Sequence, residues 1–126
     1  MSADPLAVAE HLFAAIEAGD VDAVRELYTP DTVVWHNSDG VEQSAEQNVK
    51  VLRWVIRNVR NLRYDEVRRE RTERGFVQQH VLRGTAANGA EVAIPACIVG
   101  VVKDGRIVRL DEYLDSAHVR PLLGAS

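Results

Sequence analysis

Residues 11–36 read HLFAAIEAGDVDAVRELYTPDTVVWH, and this stretch decides the fold because its apolar residues change period along it. Leu12, Phe13 and Ile16 continue a helical spacing that Leu6 and Ala9 begin, and the run stops at Gly19, a residue suited to a left-handed helix end. Upstream, Asp4 followed by Pro5 is a helix start: a capping side chain, then a proline where its missing N–H costs nothing. Asp20 opens a second, short helix with Val21, Val24, Leu27 and Tyr28 on one face, and Pro30 stops it. DTVVWH then reads as a strand that ends in Trp35, His36 and Asn37 before the turn NSDG.

Beyond that turn, SAEQ at residues 44–47 is a capping box that opens a third helix through about Val59. Its apolar face holds Val51, Leu52, Val55, Ile56 and Val59, with Trp54 on the shoulder. The remainder reads as strands: NLRYDEVRRERT, GFVQQHVLRGT, AEVAIPACIVGVV and GRIVRLDEYL, separated by the turns TERG, AANG and KDG. Three helices followed by an antiparallel meander give an α+β fold class in a single domain over residues 1–126. A curved sheet that holds helices on its concave face leaves a cone-shaped cavity, a site for a small, largely apolar ligand. The apolar run ACIVGVV needs cover on its outer face, and a second copy of the chain is the simplest cover, so a homodimer through that face is expected.

Composition removes several function classes. The chain is 46% hydrophobic and 27% charged, and no apolar stretch approaches the roughly 20 residues that a membrane span requires. The N-terminus has no positive region of the secretory kind, which predicts a cytoplasmic protein. The single cysteine, Cys97, makes no internal disulfide, and the four histidines have no zinc-site spacing, so no metal or cofactor is expected. A net charge of −4 argues against nucleic acid as a partner, and the arginines between Arg57 and Arg74, interleaved with Glu66, Glu70 and Glu73, read as an exposed sheet edge.

Candidate chemistry rests on strand alternation. His80 shares a face with Phe76, Gln78 and Leu82, which points it inward. On the last strand Glu112 lies between Leu110 and Leu114, an inward carboxylate that loses hydration unless a cation or donors compensate. An imidazole from His36 or His80 supplies that partner, and Glu112 then orients the ring or acts as the acid. The plainer reading is a buried ion pair that holds strands together. Trp35, Trp54 and Tyr28 are pocket-wall candidates with core packing as the alternative, and Cys97, with no adjacent base, is a further wall residue.

The stretch 11–36, the capped third helix and DGRIVRLDEYLD near the C-terminus together resemble the nuclear transport factor 2-like superfamily in its SnoaL-like branch. The resemblance covers nearly the whole chain. It implies three N-terminal helices in the concave face of a strongly curved antiparallel sheet, a cone-shaped α+β barrel. It also implies an activity drawn from isomerisation, cyclisation, dehydration or epoxide hydrolysis, or a non-catalytic binding role, on a small apolar or polyketide-like molecule. In the ketosteroid isomerases of this superfamily the base position falls on His36, and the oxyanion-hole positions fall on Leu12 and Cys97, which donate poorly or not at all. In the limonene epoxide hydrolases the water-holding asparagine falls on Asn37, a tyrosine position falls on Trp35, and Glu112 matches an acidic position. Their arginine position falls on His80 or Val81, and its partner on Leu82 or Arg83.

The resulting expectation is a cofactor-independent acid/base site of His36, Glu112 and His80. Trp35, Asn37, Trp54, Tyr28, Leu12, Cys97, Leu110 and Leu114 would surround the ligand. The alternatives are a binding protein with the same pocket and a protein-interaction role through the outer sheet face.

Overall fold

The computed structural model describes residues 4–123. Three helices, α1 (Pro5–Ala18), α2 (Val21–Leu27) and α3 (Ala45–Asn58), lie against a six-stranded sheet. Its strands are β1 (Tyr28–His36), β2 (Glu42–Ser44), β3 (Val59–Arg71), β4 (Gly75–Ala86), β5 (Glu91–Lys103) and β6 (Arg106–Leu114). A 3₁₀ turn at Ser116–His118 follows.

The helix boundaries follow the side chains that set them. Asp4 accepts a hydrogen bond from the Leu6 N–H, Pro5 occupies the first turn, and Gly19 closes α1 at φ 73°. Ser44 and Gln47 complete the capping box of α3 in both directions. Val59, placed by its spacing at the end of that helix, instead begins β3, and β1 begins three residues earlier than the DTVVWH stretch, at Tyr28. The short edge strand β2 has no counterpart in the sequence reading. It pairs with β1 through Val33 to Ser44 and Trp35 to Glu42.

The strand order is β2-β1-β6-β5-β4-β3. β3 to β6 form the expected antiparallel meander, but β1 runs parallel to β6, so the sheet is mixed. Turns specify only neighbours in sequence, whereas β1 and β6 are adjacent in the sheet but far apart along the chain. Their junction is tied by the Thr32 hydroxyl, which donates to the Ile107 carbonyl at 2.6 Å. Curvature comes from β3, where Asn61 (φ 54°) and Glu66 (φ 56°) sit at breaks in the register with β4. Such bulges bend a strand and increase its twist.

α1 lies in the concave face. Phe13 meets Tyr64 and Phe76 edge to face, with ring centroids 4.9 and 6.3 Å apart. The main core gathers Leu12, Phe13, Val24, Val49, Phe76 and Ile107, and a smaller cluster of Val59, Ala86, Val92, Ile94 and Leu122 closes the other end. Between the two clusters the sheet and helices leave a cavity.

Candidate active site

The cavity has a volume of about 280 Å³ and a mostly apolar wall. Leu12 from α1, Leu52 and Val55 from α3, and Leu110 and Leu114 from β6 contribute to that wall. The polar groups come from a few fixed places: His36 and Tyr28 at the two ends of β1, Glu112 on β6, Asn48 on α3, Gln43 on β2 and Tyr64 on β3.

His36 and Glu112 are brought together by the parallel β1/β6 register, which sets them directly opposite each other. His36 Nε2 lies 2.8 Å from Glu112 Oε1, with both side chains about four-fifths buried. The hydrogen bond that His36 Nε2 donates to Glu112 raises the His36 pKa above the ordinary histidine value, against the opposing effect of burial, and the charges of Glu112 and Asp39 add to the rise. With Nε2 directed at the carboxylate, the Nδ1 lone pair of the neutral ring is the one left to take a proton.

Two phenols complete the polar lining. Tyr28 donates to Asn48 Oδ1 at 2.6 Å, and Asn48 Nδ2 donates to Gln43 Oε1 at 3.1 Å. Burial, and after it the charge of Glu112, raises the pKa of both Tyr28 and Tyr64, so both stay protonated donors at neutral pH. The Tyr64 hydroxyl has no hydrogen-bond partner among the described residues, and no fully buried side-chain oxygen or nitrogen there is left unpaired. That hydroxyl therefore meets open space in the cavity it lines.

His80 faces the concave side as its alternation with Gln78 and Leu82 predicts, but it sits behind the cavity wall. Its ring packs edge-on against Tyr64 and Phe13, with centroids 4.7 and 5.5 Å away. Burial holds its pKa below the ordinary value; Glu112 pulls the other way and Arg69 acts with burial.

Leu12, Tyr28, Leu110 and Leu114 line the cavity, whereas four expected wall residues lie elsewhere. Trp35 alternates with Val34 and His36 and so projects from the opposite face, where its ring meets Tyr113 at 5.4 Å. Cys97 lies between the inward Ala96 and Ile98 and is likewise on the outer face, opposite Tyr113 in the β5/β6 register. Trp54 is on the solvent side of α3, 41% exposed. Asn37 is used as a clasp: its Oδ1 accepts from the Leu114 N–H at 2.9 Å, and its own N–H donates to the Glu112 carbonyl at 3.0 Å. Asn37 is not among the residues that line the cavity.

Asn48, Gln43 and Tyr64 were not among the expected site residues. Asn48 was legible as a polar residue one turn before Leu52 on the inward face of α3, and Tyr64 as a residue in step with Leu62. Gln43 carries no such signal, because β2 itself was not foreseen. Among the described residues no group of three or more His, Cys, Asp or Glu is placed to hold a metal ion, and no helix is long and apolar enough to cross a membrane.

The same arrangement of helices and sheet occurs in solved structures. IdmH of Streptomyces antibioticus, a candidate polyketide cyclase, superposes with a TM-score of 0.81 at 21% identity over 98% of this chain and 100% of that one. A protein with a ketosteroid isomerase-like fold from Catenulispora acidiphila, solved with trimethylamine, gives 0.80 at 15% identity, covering 94% and 93%. An NTF2-like protein of unknown function from Burkholderia pseudomallei gives 0.77 at 23% identity, covering 98% and 99%. At these identities the likeness is one of fold. No curated protein matches the sequence as a relative. The model of the SnoaL-like domain matches residues 9–110, from the middle of α1 into β6, and the chain belongs to the SnoaL-like family.

Proposed function

We propose that the protein is a cofactor-independent acid/base enzyme that enolises a small, mostly apolar carbonyl compound of polyketide-like chemistry, leading to isomerisation or cyclisation. The observation that carries this reading is the His36–Glu112 contact at 2.8 Å on the wall of an apolar cavity. Glu112 fixes the imidazole and stabilises its protonated form, which strengthens His36 as a base. Nδ1 takes a proton from the carbon beside the substrate carbonyl. Negative charge develops on the carbonyl oxygen, and the Tyr64 phenol, held neutral by burial, is the free donor for it. The His36 imidazolium then returns the proton. Delivered to another carbon, it completes an isomerisation; delivered to the alkoxide formed by an intramolecular C–C bond, it completes an aldol cyclisation. Either route restores the starting enzyme.

Two further features support the choice. At about 280 Å³ the cavity is at the low end of small-molecule sites, which span about 300–1,000 Å³, so a substrate of one or two rings is preferred to a polycyclic one. Asn37, the position the resemblance offers as water ligand for epoxide hydrolysis, lies outside the cavity lining with its Oδ1 on the Leu114 backbone, which favours enolisation over that reaction.

The test is hydrogen–deuterium exchange at the α-carbons of small cyclic ketones and 1,3-diketones in D2O, followed by NMR. It detects enolisation before the full reaction is known. Exchange should be catalysed, and His36→Ala should reduce it by about 100-fold or more, the usual contribution of a general base, while ketone affinity stays nearly unchanged. Binding without exchange would leave a non-catalytic binding protein as the correct reading.

The outer sheet face supports a second proposal, a homodimer. Val67, Val99 and Tyr113 are each more than a third exposed there. They adjoin Trp35 and Cys97 on the outer surface of the sheet.

A further inference from the structure

His80 is a buried, titratable ring within the field of Glu112, yet it has no place in the proton transfers above. Its surroundings explain why. The guanidinium Nε of Arg69 on β3 donates to Gln78 Oε1 at 2.6 Å, and Gln78 Nε2 lies 2.9 Å from His80 Nδ1. Arg69 and Gln78 face each other in the β3/β4 register, and Gln78 and His80 are two residues apart on one face of β4. Gln78 is completely buried and His80 is 4% exposed.

The chemistry of this chain permits only one assignment. A guanidinium can donate but never accept, so the Gln78 atom that faces Arg69 must be the carbonyl oxygen. The other end of the amide is then the NH2 group, which donates to Nδ1, and an Nδ1 that accepts a hydrogen bond carries no hydrogen. The single ring hydrogen is on Nε2. Protonating Nδ1 would set N–H against N–H, and rotating the Gln78 amide to relieve that clash would turn its NH2 against the donating Arg69 Nε.

Building on the acid/base reading, we propose that Arg69 and Gln78 are positioning residues that lock His80 as a permanently neutral Nε2–H tautomer, so that His36 is the only imidazole sharing protons with Glu112. A charged His80 would divide the influence of the Glu112 carboxylate between two rings. Held neutral, it leaves that carboxylate to His36. The groups facing His80 are consistent with this division. β3 presents Arg69 and Tyr64, α1 presents Phe13, β5 presents Ala96 across the register, and Glu112 on β6 is, among the described residues, the only carboxylate whose charge reaches the ring. Arg69 itself is braced over the Phe13 ring, 5.9 Å from its centroid.

The test reads the ring nitrogens directly, by long-range proton–nitrogen NMR on the whole 15N-labelled protein from about pH 5 to pH 8, a range that brackets the ordinary histidine pKa of about 6.5. Loss of one signal set in His80→Gln assigns the resonances. His80 should show an unprotonated Nδ1 and a protonated Nε2 throughout, while His36 titrates above the ordinary value. A His80 that titrates like a free histidine, or that carries its hydrogen on Nδ1, overturns the proposal. In Arg69→Met, which keeps an apolar stem over Phe13, His80 should begin to titrate within this pH range as a positive charge is lost and the amide is freed to turn. The pH at which ketone exchange begins should then move down, because His36 shares the carboxylate. An unchanged His80 in a folded Arg69→Met protein would remove Arg69 from the lock. The spectra stand whether or not any ketone is turned over, so failure of the lock and failure of the enzymatic reading are separable.

Discussion

Glu112 acts on His36 in one direction and burial acts in the other, so replacing the carboxylate changes the balance in a calculable sense. A base works only when neutral, and the rate of exchange should therefore rise with pH through the raised His36 pKa. In Glu112→Gln burial dominates, the pKa falls, and the rise should move to lower pH while the plateau drops with the weaker base. Stability follows the same group. A histidine whose folded pKa lies above its unfolded value contributes stability that is complete below pH about 6.5 and fades as pH rises through the folded value. Urea unfolding should accordingly show Glu112→Gln losing more stability at pH about 6 than at pH about 9. The facing of Glu112 was legible because it keeps step with apolar neighbours along its strand, whereas His36 was singled out by its place at a strand end and by the base position of the resembled isomerases. Trp35, Asn37 and Cys97 fail the test that Glu112 passes. Trp35 and Cys97 alternate with cavity residues, and Asn37 lies past the end of β1, where backbone groups of β6 need partners. The tautomer of His80 was not legible, since it depends on Arg69 reaching across from a neighbouring strand.

Elements set by local signals came out close to their sequence boundaries, as the Asp4, Ser44 and Gly19 caps show. The turn of Asp104 and Gly105, both at positive φ, likewise closes the β5/β6 hairpin where KDG predicts it. What local signals omit is the bending of β3, because bulges at Asn61 and Glu66 answer to packing against α1 and β4 rather than to turn residues. A glycine in β5 shows how tightly that packing is drawn. A Cβ on Gly100 would fall 2.3 Å from the ring of the fully buried Phe76, and a Cβ on Gly75, which pairs with Val101, would fall 2.2 Å from the Gly100 carbonyl oxygen. Gly100→Ala should thus destabilise the protein by about 1–3 kcal/mol, the usual cost of overpacking, measurable as a lower urea midpoint with an unchanged m-value.

At the scale of the whole molecule, the outer face is the surface whose exposure a single chain leaves unexplained. Isolated exposed apolar residues are ordinary, but Val67, Val99 and Tyr113 cluster beside Trp35. Light scattering at micromolar concentration should give twice the 14.0 kDa chain mass, and Val99→Lys, which places a charge within this face, should return the monomer with its fold intact. A monomeric mass for the unaltered protein would refute the dimer and leave the cavity chemistry untouched. The parallel seating of β6 against β1 has one more consequence, for the protein during its synthesis. His36 is made well before Glu112, with a helix and four strands made between them. A ribosome must make β6 before the two side chains can meet, so a translation product interrupted ahead of β6 holds the imidazole and lacks its carboxylate. A growing chain without β6 therefore lacks the pair on which the proposed chemistry depends, and has no such site to expose to the cell.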